Sequence, residues 1–394
     1  MGVSLKDIAE KLNLSKTTVS WVLSGQGNKK GISAETQNRV FACARELAYE
    51  PNLLARSLNT GISKTIGLIL PSISDSFYAH IAHQIESEAE KEGYSLMIAS
   101  SNSEIERENA MIRLFRSKKV DGMIIAPTKI SKREISRLVE RRYPVLLFDR
   151  YFPEMRVNYV IINNEESSYK LVRHLIDKGF RKIAIITTNP HLLTMDMRRE
   201  GYANALSDAH IRINPDLYGE VTYVNYQENI YSTMDRIFSA VPDVDAFFFT
   251  THILAIEAMR YFYDRGIDIN DGNWGLACMH EDSLFRVLAP KMNIAHFPIE
   301  EIGSNAVRIL LNQIRQSNDP EAGEYVPESK VLPCRELWRR PPCPQDKIRK
   351  KPHPARLFPD FLVSLSRKVS ERGSHAPRPM KRESGENPEQ YLLL

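Results

Sequence analysis

The chain has 394 residues, of which 42% are hydrophobic and 26% are charged, a balance typical of soluble globular proteins. This length predicts two or three domains, and no apolar run approaches the roughly 20 residues that a membrane-spanning helix needs. We expect no membrane partner, no signal peptide at the polar N-terminus, and a cytoplasmic location. The four cysteines are far apart and lack metal-ligand spacing, so we interpret them as reduced thiols.

The formal net charge of +4 is unevenly distributed along the chain. Residues 1–64 contain nine Lys and Arg against five Asp and Glu, and residues 341–394 contain eleven against six, which leaves the middle near neutral or acidic. A basic end on a near-neutral body is typical of binding to the phosphate backbone of a nucleic acid. A charged face that contacts solvent alone is the alternative interpretation.

Two short helices separated by a tight turn are predicted between Ser4 and Leu23. Ser4 and Asp7 have the spacing of a capping box, and apolar residues then follow at i, i+3, i+4 and i+7, which places them on one buried stripe. Asn13 suits the left-handed conformation that a sharp turn needs. Ser15 is positioned to cap the second helix.

The second helix divides into a buried side and an exposed side. Val19, Val22 and Leu23 form its predicted buried side. The exposed side presents hydrogen-bonding groups near the N-terminus of the helix, from Lys16, Thr17, Thr18, Ser20 and Trp21. Such a helix fits the major groove of DNA, where base edges offer donors, acceptors and thymine methyl groups. A solvent-facing helix pair has the same periodicity, so this pattern alone leaves both interpretations open.

A third helix completes a small unit, with Ser33 as its cap and Val40, Ala44 and Leu47 predicted inside. Four sequence blocks then occur in a familiar order and spacing: Leu5-Lys-Asp-Ile-Ala, Ser15-Lys-Thr-Thr-Val-Ser, Ile32-Ser-Ala-Glu-Thr, and Tyr49-Glu-Pro-Asn with Ala55 and Leu58. On these blocks the chain resembles the lactose-repressor/galactose-repressor family of bacterial transcription regulators. The similar layout extends to about Trp338.

The resemblance implies an α/β protein with an N-terminal three-helix helix-turn-helix headpiece. A two-lobed domain follows, like that of periplasmic binding proteins and built on parallel sheets. The predicted domains are the headpiece at 1–50, a hinge helix or linker at 51–63, the effector-binding and dimerisation domain at 64–338, and a tail at 339–394. The predicted lobes are 64–163 with 291–320, and 164–290 with 321–338. The basic, proline-rich composition of the tail predicts a disordered segment. A segment that makes additional non-specific contacts with DNA is the alternative.

A short helix is predicted between the headpiece and the body, from Asn52 to Gly61. Two helical turns are unstable alone in water, so this segment needs a partner surface. The resemblance implies that the partner is the same segment of a second subunit on the minor groove. Leu58 would then be wedged into a base step, and Ala55 would allow the two helices to approach. A flexible linker is the alternative.

Ten residues form the predicted DNA-binding set. They are Ser4, Lys16, Thr17, Thr18, Ser20, Trp21, Ser33, Asn52, Ala55 and Leu58. The family often has arginine at the position of Trp21, and we therefore expect the operator preference of this chain to differ from that of common members.

From Thr65 onward, short apolar runs alternate with helical stretches. The first series of predicted strands is 65–70, 95–99, 122–126, 145–148 and 159–162. The second series is 182–187, a run near 218–224, 246–250 and 274–279, followed by 293–297. Such alternation predicts parallel sheets with right-handed crossovers, and two series predict two similar lobes.

Residues at strand ends are the candidate ligand contacts, because ligands in such folds bind outside the carboxyl ends of the strands. The resemblance places Asp149 and Arg150 at a strand end, Phe77 in the lining of the cleft, and Arg198 on effector hydroxyl or carboxylate groups. A guanidinium suits bidentate binding of such groups. A structural ion pair between Asp149 and Arg150 is the alternative.

Two positions depart from the family pattern. Thr251 and His252 stand where Asn-Asp is usual, and His280 stands where an aspartate usually contacts the ligand. The loss of these acidic groups argues against a typical neutral sugar. Two histidines favour an anionic ligand such as a sugar phosphate or sugar acid, above all at mildly acidic pH, unless each is a structural residue. The predicted effector-binding set is Phe77, Asp149, Arg150, Arg198, Thr251, His252 and His280.

The predicted function is that of a homodimeric or tetrameric transcription regulator, a repressor of carbohydrate-utilisation genes. Its predicted partners are a pseudo-palindromic double-stranded DNA operator and a sugar, sugar phosphate or sugar acid bound between the lobes. The sequence contains no phosphate-binding loop, nucleophile motif or metal-spaced cluster, so we expect neither enzymatic activity nor a cofactor. A periplasmic-type solute-binding protein is the alternative, opposed by the headpiece and the polar N-terminus.

Overall fold

The computed structural model describes residues 3–50, 61–128, 132–188, 193–222, 226–319, 321 and 323–339. The predicted hinge residues Asn52, Ala55 and Leu58 lie outside these described residues, as does the predicted tail from 340 onward. No helix within the described ranges is long and apolar enough to cross a membrane.

Helices and strands alternate along the body, after three helices at the N-terminus. The helices are α1 Leu5–Leu12, α2 Lys16–Leu23, α3 Ala34–Glu46, α4 Ser76–Lys91, α5 Ile105–Ser117, α6 Lys132–Glu140, α7 Asn164–Asp177, α8 Leu193–Asp208, α9 Tyr226–Ala240, α10 His252–Asp264, α11 Phe285–Leu288 and α12 Ile299–Ser317. The strands are β1 Thr65–Leu70, β2 Ser95–Ser100, β3 Gly122–Ile125, β4 Val145–Phe148, β5 Asn158–Ile162, β6 Ile183–Thr188, β7 Tyr218–Val221, β8 Ala246–Phe249, β9 Gly275–Met279, β10 Asn293–His296, β11 Ser329–Leu332 and β12 Arg335–Leu337.

The first three helices pack around one small core to form the headpiece. α1 ends at Asn13, whose φ of 52° is the left-handed conformation expected for the turn. Ser15 Oγ accepts a hydrogen bond from the Thr18 N–H at 3.0 Å, and Ser33 Oγ accepts one from the Thr36 N–H at 3.3 Å, which confirms both predicted caps. The core draws on all three helices and consists of Ile8, Ala9, Val19, Val22, Val40, Cys43 and Ala44.

The first lobe contains a six-stranded sheet in the order β11-β5-β4-β3-β1-β2, in which all neighbouring strands are parallel. β3 and β4 are buried throughout, as expected for strands covered on both faces by helices. α12 packs closely on this sheet, because an added Cβ at Gly122 would lie 3.0 Å from side-chain atoms of Leu310 and Ile314. Gln313 on the same helix accepts a hydrogen bond from the Val145 N–H at 3.0 Å.

The second lobe repeats this arrangement. Its sheet has the order β12-β10-β9-β8-β6-β7, so each strand has a counterpart at the same position in the first sheet. β12 runs antiparallel to β10, whereas its counterpart β11 runs parallel to β5. The predicted parallel sheets and the similarity of the two lobes are therefore confirmed.

The predicted lobe assignment near the C-terminus is wrong at two strands. We expect residues 291–320 in the first lobe, yet β10 pairs with β9 in the second sheet. We expect residues 321–338 in the second lobe, yet β11 pairs with β5 in the first sheet. The physical reason is that the free edges of β9 and β5 each need a pairing partner, so the chain crosses between the lobes three times.

An aspartate anchors the start of the first strand in each lobe. Asp121 accepts hydrogen bonds from the two backbone N–H groups of residues 63–64, at 2.7 and 2.9 Å, just before β1. Asp245 accepts hydrogen bonds from those of residues 181–182, both at 2.9 Å, just before β6. Each aspartate directly precedes the neighbouring parallel strand, β3 or β8. The Asp121 contacts fix the segment that leads towards the headpiece.

Candidate functional site

A cleft of about 630 Å³ lies between the two lobes, at the carboxyl ends of their strands. All seven residues predicted to bind an effector line it: Phe77, Asp149, Arg150, Arg198, Thr251, His252 and His280. The structure thus brings together side chains from distant parts of the sequence and from both lobes. Their roles as ligand contacts stay predictions.

The first-lobe wall of the cleft is organised around Asp149, which directly follows β4. The Tyr78 hydroxyl donates to Asp149 Oδ2 at 2.7 Å, and Arg150 Nε lies 3.4 Å from the same oxygen. Burial raises the pKa of Tyr78 well above its usual value, so this hydroxyl keeps its proton. The 3.4 Å contact shows that Asp149 and Arg150 form the ion pair that was the alternative to ligand binding.

Arg198 reaches the cleft from α8 and is 4% exposed. Its Nε donates to Asn164 Oδ1 at 2.7 Å, and its Nη1 donates to the Thr250 carbonyl at 2.6 Å. α7 and α8 pack closely enough for these contacts. A Cβ added at Gly201 of α8 would lie only 2.2 Å from the carbonyl oxygen of Glu165 on α7. A buried cation needs such acceptors, since its loss of hydration is otherwise unfavourable.

The two lobes contact each other directly at the start of α4. His252 Nε2 lies 3.3 Å from Asp75 Oδ1, and the Ser76 hydroxyl donates to Asp282 Oδ2 at 3.1 Å. Asp75 and Ser76 belong to the first lobe, whereas His252 and Asp282 belong to the second. These polar contacts hold the lobes together across the cleft.

His280 directly follows β9 and is 5% exposed. Its ring centre lies 5.0 Å from that of Phe77 and 4.9 Å from that of Phe297. Neither ring nitrogen has a hydrogen-bond partner among the described residues. Burial, reinforced by the nearby charges of His252 and Arg198, lowers the pKa of His280 well below 6.5, so the ring is neutral near pH 7. This lowered pKa argues against positive charge on His280 as a source of anion binding, and the class of ligand stays a prediction.

Asp149 and His280 occupy equivalent positions in the two lobes, since β4 and β9 are counterparts. Their φ angles are +61° and +78°, a region that residues other than glycine rarely adopt. Each backbone N–H nevertheless continues the sheet, from Asp149 to the Val160 carbonyl at 3.2 Å and from His280 to the Ala295 carbonyl at 3.1 Å. Backbone strain of this kind concentrates at binding sites, which favours both residues as ligand contacts.

Several charged or aromatic residues of the cleft are absent from the predicted set: Asp75, Tyr226, Glu257, Asp282 and Phe297. Asp75 and Asp282 lie in loops after strands, where the strand-end rule also applies. Glu257 lies one turn inside α10 and shares its cleft-facing side with His252, Ile253 and Ile256. Glu257 is four residues after Ile253, which directly follows the predicted His252, and this i, i+4 spacing was the signal that could have identified it.

Four residues of the predicted DNA-binding set lie on the outer side of α2. Lys16 and Thr17 are exposed at the N-terminal end of this helix, and Ser20 and Trp21 are partly exposed further along it. Lys30 Nζ lies 5.1 Å from the centre of the Trp21 ring, which adds a cation beside the indole. This side of α2 presents donors and positive charge, as binding to a major groove requires.

Three other predicted DNA contacts have hydroxyl groups engaged at the starts of helices. Thr18 Oγ1 lies 2.7 Å from Ser15 Oγ. The Ser4 hydroxyl donates to Asp7 Oδ2 at 2.9 Å, and Ser33 caps α3. These residues therefore fix the helices of the headpiece, and any contact with DNA would be additional to that role.

Two family descriptions match the chain. Residues 4–52 match the bacterial regulatory proteins of the lacI family. Residues 63–326, more than half of the chain, match the periplasmic binding proteins and sugar binding domain of the LacI family. The chain belongs to the LacI family. It is therefore a DNA-binding transcription regulator, and both the resemblance seen in the four sequence blocks and the α/β fold class are confirmed.

The relatives described next match this chain over most of its length and over nearly all of their own. The HTH-type transcriptional repressor PurR of Aliivibrio salmonicida is 26% identical over 317 residues, which cover 80% of this chain and 93% of that protein. The ribose operon repressor of Haemophilus influenzae is 29% identical over 318 residues, with the same two coverages. The Lac repressor dimer bound to operator and the anti-inducer ONPF has the same fold, with a TM-score of 0.74 at 20% identity over 86% of this chain and 98% of that chain.

Proposed function

We propose that this LacI-family regulator is an effector-responsive repressor of carbohydrate-utilisation genes. It acts in the cytoplasm as a homodimer on a pseudo-palindromic operator, with one headpiece on each half-site. The cleft carries this proposal, because residues predicted as effector contacts meet in a cavity of about 630 Å³. A volume of this size suits a small molecule such as a sugar.

The relatives support the DNA-binding side of the proposal. PurR and the ribose operon repressor are both repressors, and this chain covers 93% of each. The Lac repressor structure shows a dimer on its operator. A periplasmic-type solute-binding protein has the two-lobed fold as well, but the match of residues 4–52 to regulatory proteins favours the repressor.

The proposed switch is a change in the relative orientation of the lobes. The cleft is bounded by both lobes, and polar contacts such as His252 with Asp75 already join them across it. An effector that fits one orientation better shifts the population towards it. The segment held by Asp121 then transmits that orientation towards the headpiece. A preference of a few kcal/mol is sufficient for such a switch.

A gel-retardation assay with the full-length protein tests the DNA-binding proposal. The operator is obtained by selection from a pool of random pseudo-palindromes. Replacement of both exposed residues, Lys16→Ala with Thr17→Ala, is expected to weaken operator binding by roughly tenfold or more, because phosphate and base contacts are lost. Lys178→Ala, which removes an exposed lysine of the body, is the matched control and should bind normally. Equal retardation by all three proteins would contradict the assignment of α2 as the reading helix.

A further inference from the structure

We propose that Lys30 positions the indole of Trp21 on DNA, so that the two residues together determine which base pair Trp21 prefers. The inference rests on the proposed function, since it concerns binding of the same operator. It adds a residue of the loop between α2 and α3, at 24–33, to the predicted DNA-binding set. Three features of the headpiece support it: the contact between the two side chains, the hydrogen bonds that fix the loop, and the chemistry of the indole.

The side chains of Trp21 and Lys30 meet on the surface of the headpiece. Lys30 Nζ lies 5.1 Å from the centre of the indole ring, within the roughly 6 Å over which an aromatic face attracts a cation. Trp21 is partly exposed and Lys30 is exposed. Among the described residues, the headpiece lysines that pair with carboxylates are Lys6 and Lys11, both on α1. The charge of Lys30 is therefore available to the indole and to DNA.

Two backbone hydrogen bonds connect Lys30 to Trp21. The Gln26 N–H donates to the Trp21 carbonyl at 2.8 Å, and the Lys30 N–H donates to the Gln26 carbonyl at 3.0 Å. The loop thus folds back at the end of α2. Because these bonds fix the backbone of Lys30 relative to that of Trp21, the side chain reaches the indole without the entropy cost of ordering a flexible segment.

The loop is fixed to α3 as well as to α2. Gln37 Nε2 donates to Asn28 Oδ1 and to the Ile32 carbonyl, both at 2.8 Å. Gly27 lies directly against this glutamine, because an added Cβ would lie 2.6 Å from Gln37 Cδ. The Ile32 N–H also donates to the Gly27 carbonyl at 3.0 Å. A loop that is already ordered in this way loses little further entropy when DNA binds.

The indole has two features that distinguish bases. Its N–H is a donor only, which suits acceptors such as guanine N7 and O6 or thymine O4, and its apolar ring suits a thymine methyl group. Trp21 follows Thr17 by four residues on α2, so both lie on the side predicted to enter the major groove. The base preference depends on the direction of the ring, since a rotated indole presents its N–H to a different atom. A cation over the ring favours one direction, and the attraction is stronger where water is removed.

A simple phosphate contact is the alternative role for Lys30. Loss of a lysine that binds only phosphate weakens binding to every sequence about equally, and it reduces the dependence of log K on log salt by a slope of about one. Loss of a lysine that positions the indole changes the preference among bases at one position. The two roles therefore give different results in a binding assay.

Competition binding with the full-length protein tests the inference. The selected operator is compared with its single base-pair variants, and the position that Trp21 contacts is the one where Trp21→Ala loses preference. Lys30→Met, which keeps an aliphatic side chain without the charge, is expected to reduce the preference at that position by about threefold. Lys30→Arg should retain it, because a guanidinium is also attracted to an aromatic face. Lys29→Met, at an exposed lysine of the same loop, is the control and should leave this preference unchanged.

Two results of this assay would overturn the inference. One is a Lys30→Met variant that keeps the preference of the parent protein at every position, whatever its overall affinity. The other is a Trp21→Ala variant that keeps the preference of the parent protein at every position, since the indole would then distinguish no base pair.

A double-mutant cycle measures the coupling between the two side chains. The single changes Lys30→Met and Trp21→Ala should together weaken operator binding by more than the double variant does, because each removes the same contact. Lys29→Met and Trp21→Ala form the control cycle, in which the two effects should be additive. Additive effects in both cycles would contradict the proposed pair.

Retardation of the operator by the parent protein separates the inference from the proposed function. A parent protein that retards no selected duplex would refute the repressor proposal and the inference with it. A parent protein that binds its operator, with additive effects of the changes at Trp21 and Lys30, would refute the inference alone.

Discussion

His280 adopts a left-handed backbone conformation while its buried ring finds no hydrogen-bond partner among the described residues. A left-handed conformation costs roughly 1–2 kcal/mol for a residue with a side chain, and an unpaired buried polar group costs roughly 1–3 kcal/mol. Features that lower stability in this way are typical of binding sites. We therefore interpret His280 as a ligand contact whose hydrogen bonds the effector completes.

The lowered pKa of His280 makes a prediction about acid stability. Because its folded-state pKa lies well below the ordinary 6.5, the unfolded chain takes up a proton below pH 6.5 that the folded protein does not. Above pH 6.5 the ring is neutral in both states and leaves the free energy of unfolding unchanged. Below pH 6.5 the free energy of unfolding falls with pH, by up to roughly 1.4 kcal/mol per pH unit. His280→Gln should flatten the loss of unfolding free energy between pH 6.5 and 5.

Urea unfolding at several pH values measures this effect. His83→Gln, at an exposed histidine of α4, is the control and should keep the acid sensitivity of the parent protein. If the free energy of unfolding of His280→Gln falls with pH as steeply as that of the parent protein, the pKa of His280 in the folded protein is not lowered.

At the residue scale, the sequence predicted the location of the cleft better than its chemistry. The seven predicted residues share one cavity because strand ends in parallel sheets converge. The charge state of His280 could not be predicted, since it depends on burial between Phe77 and Phe297 and on neighbouring charges from other elements. Glu257 was missed because it follows a helix start and not a strand end.

At the scale of elements, β1 to β10 were predictable to within a few residues. Strands that are buried on both faces form continuous apolar runs, which stand out between polar helices. β11 and β12 were not predicted as strands, because they are short edge strands and three of the four residues of β11 are exposed. Their pairing follows from the edges left open in the two sheets, which sequence does not reveal.

The paired anchors Asp121 and Asp245 allow a matched experiment on coupling. Asp121→Asn and Asp245→Asn each remove a charged acceptor from two backbone N–H groups, and each should lower the free energy of unfolding by roughly 1–2 kcal/mol. Asp121→Asn alone should also weaken operator binding, because Asp121 holds the segment that leads towards the headpiece.

Fluorescence anisotropy with a labelled operator measures that difference, and chemical denaturation measures the stability of both variants. Similar operator affinities in two equally destabilised variants would show that the Asp121 anchor supports the fold without positioning the headpiece.

At the scale of the whole molecule, the site lies between two lobes whose sheets have equivalent strand orders. Each lobe contributes its own strand-end residue with positive φ, Asp149 or His280, and the two face one cleft. Three crossings of the chain connect the lobes, and polar contacts such as Ser76 with Asp282 join them across the cleft. A ligand that contacts both walls therefore favours one relative orientation of the lobes.

The most direct test of the proposed function is the operator affinity of the full-length protein with and without a sugar or sugar phosphate that raises its melting temperature. We expect this ligand at saturation to change the dissociation constant for the operator by about fivefold or more. Saturating operator should change the affinity for the ligand by the same factor, because coupling between two binding sites is reciprocal. A ligand that binds the cleft and leaves the operator affinity unchanged would contradict the proposed coupling between the cleft and the headpiece.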